Sequence, residues 1–461
     1  MPLSAAPQQP ARGPARAGLR DDLRELLAVL AAERRVPGAQ LAVHLDGVTH
    51  VVETGGPEVG SDTLFTADTA VPIGSVTKSC TATLAMMLVA DDDVELDEPL
   101  QEHLPELRGL SASLTLRQLL SHTGGLPAGP DSAVVAALTA RRYVEEHCTD
   151  RALVMPPGTG FSYSNAGYVV VGRLIETITG MTWAEAMRTL VLRPLGVQPA
   201  FLGETAPARP VATGHSVHPD TGRARPVRQV LSGAEAAAGG LLASAADLVA
   251  LGRAHLGADR EGVRGLLPAS IAEEMRRPVP QADPCGLADG WAPGFALFHQ
   301  GPAVWFGHDG NALGTACHLR VDPGTATVVA FTCNAGNGSQ LWHDVADALA
   351  AIVGTAVPGA AAWQPGTPAP PPADCTGTYA NGDTLIQVHP DDGGGLAVSV
   401  DGDPPTALVC FADLRCCLVD PASGRLLPAG RFLTDPHTGA IDRLLLTGRM
   451  GRRTEHPLQH A

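Results

Sequence analysis

The segment Gly74-Ser75-Val76-Thr77-Lys78 decides how the chain is interpreted, because it contains the only lysine among 461 residues. All other basic residues are arginines, which can replace the charge of a lysine but cannot lose their proton. Lys78 follows Ser75 by three residues, so on a helix the two side chains would share one face about 5–6 Å apart. The segment therefore predicts a serine nucleophile with a lysine as its base.

A serine hydroxyl is a weak nucleophile until a base takes its proton. For Lys78 to be that base, its pKa has to fall well below about 10.4, through burial or a neighbouring positive charge. At the start of a helix, Ser75 would also lie beside backbone N–H groups that stabilise an oxyanion. The alternative is a solvated surface lysine, since Ser-x-x-Lys alone is a weak pattern.

Composition and charge exclude several classes of function. The net charge of −16 disfavours nucleic acid or an anionic membrane surface as a partner. No apolar run reaches the ~20 residues of a membrane span, and the polar, proline-rich segment 1–18 lacks the apolar stretch of a secretory signal. We therefore expect a cytoplasmic protein. The nine cysteines follow no zinc-type spacing, so we expect neither a metal nor another cofactor.

The order of helix and strand patterns predicts two folded parts. Residues 1–17 are expected to form a flexible tail, and residues 18–362 a mixed α/β (α+β) domain with strands near both ends and mostly helices between. Terminal strands can then pair in one antiparallel sheet flanked by helices. A Pro-rich linker over 363–373 leads to residues 374–461, where seven short strand candidates, the last at Ile441–Thr447, predict a small all-β, barrel-like domain.

Two further motifs follow in the chain. Tyr163-Ser164-Asn165 has the form Tyr-x-Asn, and His308-Asp309-Gly310 has the form His-x-Gly on a predicted strand. With Ser-x-x-Lys, Tyr-x-Asn and His-x-Gly in this order, the chain resembles the serine β-lactamase and penicillin-binding-protein superfamily, most closely its class C and D,D-peptidase branch. The resemblance covers about residues 20–355. It implies a β-lactamase/transpeptidase-like fold for that part of the chain.

The resemblance also implies roles for the motif residues. Ser75 would be the acylated nucleophile, and Lys78 its proton acceptor or the group that tunes Tyr163. Tyr163 would pass the proton to the leaving group and later activate the acyl acceptor. The positions implied for substrate binding and for the oxyanion hole are Asn165, His308, Asp309, Gly310 and Asn311.

Asn165 would orient the acyl amide and Lys78, and the backbone N–H groups of Ser75 and Asn311 would form the oxyanion hole. The third motif departs from the Lys-Thr-Gly that is common in this superfamily, because its middle residue is Asp309. The hydroxyl normally found there helps to bind a substrate carboxylate, which a second carboxylate would repel. We therefore expect the site to disfavour penicillins and peptides that end in D-Ala-D-Ala.

Three classes of function remain open. The first is a serine acyl-enzyme acyltransferase or thioesterase of specialised metabolism, such as nonribosomal peptide antibiotic biosynthesis. It is similar to the penicillin-binding-protein-type thioesterases, which are peptide cyclases with a C-terminal lipocalin-like domain, as residues 374–461 suggest. Its substrate would be a small-molecule or peptidyl (thio)ester, free or bound to a carrier protein. Ser75 would accept the acyl group of this ester, and attack by an amine would release it as a macrocycle or amide.

The second class is a carboxylesterase, D-aminopeptidase or β-lactamase-like hydrolase of the same fold. The third is a non-catalytic sensor, which the intact motifs disfavour. A chain ending near residue 362 is expected to keep the acyl-enzyme machinery, with any loss of affinity confined to large substrates.

Overall fold

The computed structural model describes residues 18–257, 265–363, 365–391, 393–421 and 424–454. The predicted tail therefore lies outside the described residues. Within the described ranges, no helix combines the length and the apolar character needed to cross a lipid bilayer.

Helices occupy most of the chain between the first and last strands of the larger part. The α-helices of the described residues are α1 (Leu19–Glu33), α2 (Thr77–Ala90), α3 (Leu116–Leu120), α4 (Ala140–His147), α5 (Asn165–Thr179), α6 (Trp183–Ala186), α7 (Ala236–Gly239), α8 (Ala245–Ala254), α9 (Ala269–Glu274) and α10 (Gly338–Val353). Short 3-10 turns lie at Gly74–Val76, Leu100–Glu102, Gly109–Ser113, Asp150–Ala152 and Gly233–Glu235, and a π-helical turn at Met187–Leu192.

The central sheet has seven antiparallel strands in the order β2-β1-β11-β10-β9-β8-β7. The strands before the barrel are β1 (Gly38–Leu45), β2 (Val48–Gly55), β3 (Val71–Pro72), β4 (Gly214–Val217), β5 (Ala224–Val227), β6 (Leu242–Ala243), β7 (Gly290–Ala292), β8 (Phe295–Gln300), β9 (Ala303–Ala312), β10 (Thr315–Asp322) and β11 (Thr327–Cys333). Because β1 pairs with β11, the two ends of this part meet in one sheet. This confirms the predicted antiparallel sheet flanked by helices.

Two hydrophobic cores lie on opposite faces of this sheet. Successive side chains of a strand point to opposite faces. In β1, Ala42 belongs to the core that contains most of α2, α5 and α8, whereas Leu41 and Val43 belong to the core that contains α1 and α10. The sheet therefore separates the two helical layers, and α2, which carries Lys78, is buried along nearly its whole length.

The C-terminal part is a closed barrel of eight antiparallel strands, which confirms the predicted all-β domain. Its strands are β12 (Gly377–Asn381), β13 (Thr384–Pro390), β14 (Leu396–Val400), β15 (Thr406–Cys410), β16 (Arg415–Val419), β17 (Leu426–Thr434), β18 (Ile441–Leu446) and β19 (Arg449–Thr454). The sequence predicted only seven strands and missed β19, which closes the barrel by pairing with β12.

The proline-rich linker follows the barrel surface. Pro368 forms an isolated β-bridge with Phe411, the backbone N–H of Ala369 donates to the carbonyl oxygen of Cys410 at 2.9 Å, and the Trp363 ring contacts Phe411. The segment therefore packs against β15 and the residue that follows it.

Candidate active site

Ser75 and Lys78 lie together where the 3-10 turn Gly74–Val76 leads into α2. Lys78 Nζ donates to Ser75 Oγ at 3.2 Å and to the carbonyl oxygen of Ala238 at 2.8 Å. The spacing of three residues thus brings the two side chains into contact, as the sequence predicted.

Lys78 is fully buried although it carries an amine. Burial first, and then the positive charge of Arg449, lower the pKa of Lys78 to about 7, while the carboxylate of Glu235 acts in the opposite direction. A buried amine loses its proton more readily because the charged form gives up the hydration it had in water. A large fraction of Lys78 is therefore uncharged at neutral pH and able to accept a proton.

Two glycines allow β9 to pass directly beside the nucleophile. Gly74 has a φ of +51°, and a Cβ atom there would lie 2.3 Å from the backbone oxygen of Asn311. A Cβ atom at Gly310 would lie 2.1 Å from the carbonyl oxygen of Ile73. The close approach brings Asn311 next to Ser75, at the position predicted for the oxyanion hole.

Tyr163 lies on the other side of Ser75 and is buried. Burial raises the pKa of Tyr163 far above its usual value, although the Ser75 hydroxyl and Arg449 lower it. Among the described residues, no group meets the Tyr163 hydroxyl in good hydrogen-bond geometry. Tyr163 therefore keeps its proton at neutral pH and has a hydroxyl available for a substrate atom.

Asn165 is the first residue of α5, and its backbone N–H donates to the carbonyl oxygen of Ala128 at 3.0 Å. The resemblance implied that the Asn165 side chain orients Lys78. In the described part of the chain, Lys78 Nζ instead bonds to Ser75 and to the Ala238 carbonyl. The Asn165 side chain faces a cavity beside Ser75, where an acyl group can reach it.

His308 is buried and neutral. Its Nδ1 lies 2.6 Å from the carbonyl oxygen of Asp309, so we assign the ring proton to Nδ1 and a lone pair to Nε2. Burial, and next the charge of Lys78, lower the pKa of His308 to about 4. No described group bonds to His308 Nε2, which leaves an acceptor beside the cavity.

The charge of Asp309 is matched by two partners on β10. Arg320 Nη1 lies 2.6 Å and His318 Nδ1 lies 2.8 Å from Asp309 Oδ1. Burial alone would raise the pKa of Asp309, but the charge of Arg320 and the contact with His318 outweigh it and hold the pKa well below its usual range. Arg320 therefore neutralises the negative charge of Asp309. Because of this pairing, the structure does not support the expected repulsion between Asp309 and a substrate carboxylate.

Two cavities of similar size open on Ser75 and Asn311. The first, of about 280 Å³, is lined by Tyr163, Trp291, Phe298, His308, Asp309 and Arg449 among others. The second, of about 270 Å³, is lined by Asn165, Leu202, Val230, Glu235 and Leu313 among others. The nucleophile thus lies between two separate binding spaces.

Arg449 was missed by the sequence analysis because it lies in β19 of the barrel. Its guanidinium carbon lies 5.9 Å from the centre of the Tyr163 ring, and it lines the first cavity. No carboxylate of the described residues forms an ion pair with Arg449. Its positive charge therefore faces the cavity, so this side of the site attracts a carboxylate rather than repelling it.

Two other neighbours of the site were not among the predicted residues. The His122 ring lies 4.2 Å from the Tyr163 ring, and its Nδ1 accepts from the backbone N–H of Ser164 at 3.2 Å. Glu235 is buried, and one of its carboxylate oxygens accepts from the Ser132 hydroxyl at 2.6 Å. The sequence offered a signal for His122, which directly precedes Thr123-Gly-Gly, but none for Glu235.

Comparison with known proteins identifies the family. Residues 23–353 match the family model described as Beta-lactamase. The chain belongs to the β-lactamase family. Penicillin-binding protein 4 of Amycolatopsis lactamdurans, a curated relative, is 34% identical over 372 residues, which span 77% of this chain and 96% of that protein.

Solved structures extend the likeness beyond the β-lactamase domain. The crystal structure of SurE is 38% identical, with a TM-score of 0.83 over 95% of this chain and 99% of that one, and SurE with D-Leu is 36% identical with a TM-score of 0.81. The D-amino acid amidase of Ochrobactrum anthropi SV3 is 25% identical, with a TM-score of 0.61 over 72% of this chain. The β-lactamase family and these relatives indicate serine hydrolase activity.

Proposed function

We propose that this member of the β-lactamase family is a serine acyltransferase of specialised metabolism. It takes a peptidyl or other acyl thioester or ester onto Ser75 and releases the acyl group by attack of an amine. The observation that carries this proposal is the pair of cavities meeting at Ser75, because acyl transfer needs an acyl donor and an acceptor on either side of one nucleophile.

Acylation begins with neutral Lys78, which takes the Ser75 proton as Oγ forms a bond to the substrate carbonyl carbon. The backbone N–H groups of Ser75 and Asn311 stabilise the oxyanion. Tyr163 gives its proton to the departing thiol or alcohol as the old bond breaks, and Lys78 returns a proton to Tyr163. The result is an ester on Ser75 and a neutral leaving group.

The two pKa directions favour Lys78 over Tyr163 as the base. Lys78 has a pKa of about 7, whereas burial keeps Tyr163 protonated at neutral pH. A general base works best when its pKa lies near the working pH. We therefore assign Lys78 as the base and Tyr163 as the proton donor to the leaving group.

Features of the first cavity favour an amine acceptor. His308 Nε2 offers a lone pair to an incoming N–H, and Arg449 can bind a carboxylate carried by the same acceptor residue or by the leaving group. Trp291 and Phe298 give this cavity aromatic walls that fit an apolar side chain. An amine acceptor with an apolar side chain or a carboxylate can gain binding energy from these groups, whereas water cannot. These features therefore support aminolysis over hydrolysis.

The second cavity would hold the acyl residue. Its walls include Leu202, Val230 and Leu313, and Asn165 can donate to the acyl amide. SurE, which is similar over 95% of this chain, has been solved with D-Leu. We therefore propose that the acyl residue bound to Ser75 is an apolar amino acid of D configuration.

The test uses a peptidyl N-acetylcysteamine thioester with a free N-terminal amine and a C-terminal D-Leu, and separates the products by liquid chromatography and mass spectrometry. We expect the cyclic peptide to exceed the linear acid. The same peptide with an acetylated N-terminus should give acid only, and a peptide ending in L-Leu should react more slowly. Ser75→Ala is the control for uncatalysed release.

Release of only the linear acid, across thioesters of different length and sequence and with added free amines, would contradict acyl transfer. A hydrolase of the same fold would then be the correct description. Turnover by Ser75→Ala would contradict the acyl-enzyme mechanism in both cases.

A further inference from the structure

We propose that the barrel positions the proton donor of the active site. Asn381 and residues 447–450, which form the turn after β18 and the start of β19, make up an interdomain latch that positions Tyr163. The proposal rests on the role of Tyr163 as proton donor but not on whether water or an amine releases the acyl group. It runs against the expectation that a chain ending near residue 362 keeps the acyl-enzyme machinery.

The first contact of the latch is made by the backbone of Tyr163 itself. Its N–H donates to the carbonyl oxygen of Gly448 at 2.7 Å. Gly448 has a φ of +78°, and a Cβ atom there would lie 2.8 Å from Leu287 Cδ2 and 3.6 Å from Tyr163 Cβ. The turn between β18 and β19 therefore lies directly against the tyrosine.

Ser162, the residue before Tyr163, also bonds to the barrel. Its Oγ accepts from the backbone N–H of Met450 at 3.3 Å and from Asn381 Nδ2 at 3.3 Å. Its own backbone N–H donates to the carbonyl oxygen of His122 at 2.9 Å. The segment that carries Tyr163 thus lies between His122 of the β-lactamase domain and the barrel.

Asn381 connects three segments through one buried side chain. Its Oδ1 accepts from the backbone N–H of Ala128 at 2.7 Å, and its Nδ2 donates to the carbonyl oxygen of Met450 at 2.9 Å as well as to Ser162. Ala128 in turn accepts from the backbone N–H of Asn165. Asn381 is fully buried, so each of these bonds is costly to replace with water.

Packing reinforces the hydrogen bonds. Leu445 and Met450 of the barrel belong to the same hydrophobic core as Phe161, Tyr163 and Trp291 of the β-lactamase domain. In the described part of the chain no group meets the Tyr163 hydroxyl in good hydrogen-bond geometry, and the nearby Ser75 hydroxyl is itself the reacting group. The position of Tyr163 therefore depends on how its backbone and ring are held.

The proposal predicts an effect that depends on the leaving group. A p-nitrophenyl ester releases a stable phenolate without needing a proton, whereas an alkyl ester with the same acyl group requires protonation by Tyr163. Asn381→Ala should lower the single-turnover rate constant of Ser75 acylation for the alkyl ester by about tenfold to a hundredfold, and that for the p-nitrophenyl ester by less than about threefold. The substrate dissociation constants from the same single-turnover data should stay close to those of the full wild-type chain.

Two further variants make the test decisive. Ser162→Ala removes a single hydroxyl from the latch and should produce a smaller loss with the same leaving-group dependence, even if Asn381→Ala folds poorly. Tyr379→Phe is the matched control, because it removes a hydrogen bond to Cys375 that lies wholly within the barrel. It should leave the ratio of the two rates unchanged.

A selective loss for the alkyl ester in the latch variants supports the proposal. Equal losses for the two esters, or no loss in folded Ser162→Ala and Asn381→Ala, overturn it. Either of those results leaves the proposed acyl transfer intact, since the ratio of cyclic product to acid is measured separately on the wild-type chain.

Discussion

Replacing Lys78 by methionine should stabilise the protein at neutral pH, and the gain should shrink as the pH rises. The folded protein lowers the pKa of Lys78 from its ordinary value of 10.5 to about 7. Below pH 10.5 the unfolded chain therefore binds more protons at Lys78 than the folded chain does, and this difference lowers the free energy of unfolding. The loss of stability becomes smaller as the pH rises from about 7 toward 10.5. Methionine has a similar length, no charge and no such penalty.

The magnitude follows from those two values. A tenfold difference in proton affinity is worth about 1.4 kcal/mol, so the penalty is about 4 kcal/mol at pH 7 and about 1.5 kcal/mol at pH 9.5. The variant also loses the bond from Lys78 to the Ala238 carbonyl, at a cost of about 1–3 kcal/mol that does not depend on pH. The advantage of the variant should therefore fall by about 3 kcal/mol between pH 7 and pH 9.5.

Urea unfolding followed by tryptophan fluorescence at the two pH values measures this change. Titrating groups far from Lys78 are common to both proteins and cancel in the difference, and the neighbouring His308, whose pKa is about 4, stays neutral at both pH values. Ser75→Ala keeps Lys78 and should show the pH dependence of the wild-type chain. An advantage of Lys78→Met that is the same at both pH values would refute the reasoning, because Lys78 would then be charged in the folded protein and unable to act as the base.

Three further outcomes follow from the site. A fluorophosphonate probe should add mass to the peptide that contains Ser75, and Ser75→Ala should fold normally but lose essentially all turnover. Lys78→Arg should reduce acylation by about a hundredfold or more, because arginine cannot accept the proton; near-normal acylation kinetics would contradict this. Asp309→Thr should lower the free energy of unfolding by about 3 kcal/mol, because it leaves the buried Arg320 without its carboxylate partner. Adding Arg320→Met to this variant should recover part of the loss, and chemical denaturation of both variants measures the difference.

The parts of the fold that the sequence predicted depend on local patterns or on simple topology. Ser75 and Lys78 meet because they are three residues apart at the start of a helix, a relation that the chain itself contains. The pairing of β1 with β11 follows from strands that flank a helical middle. Neither inference needs knowledge of side chains that are distant in sequence.

The parts that were missed depend on packing between the two domains. The β19 segment Arg449-Met-Gly-Arg-Arg-Thr has three arginines and a glycine, so it lacks the alternation of apolar residues that marks a strand. Its role becomes visible only when the barrel is placed against Tyr163.

Asp309 is different, because His318 lies opposite it in the β9–β10 hairpin and Arg320 follows two residues later on the same face. Aligning β9 and β10 in this register would therefore have predicted from the sequence that Asp309 has positively charged or hydrogen-bonding partners.

The presence of a single lysine makes the base of this protein individually observable. Growth on ¹⁵N- or ¹³C-labelled lysine would place an isotope in one side chain only, and that side chain touches the nucleophile. One nuclear magnetic resonance signal would then report the protonation of Lys78 during substrate binding, acylation and release.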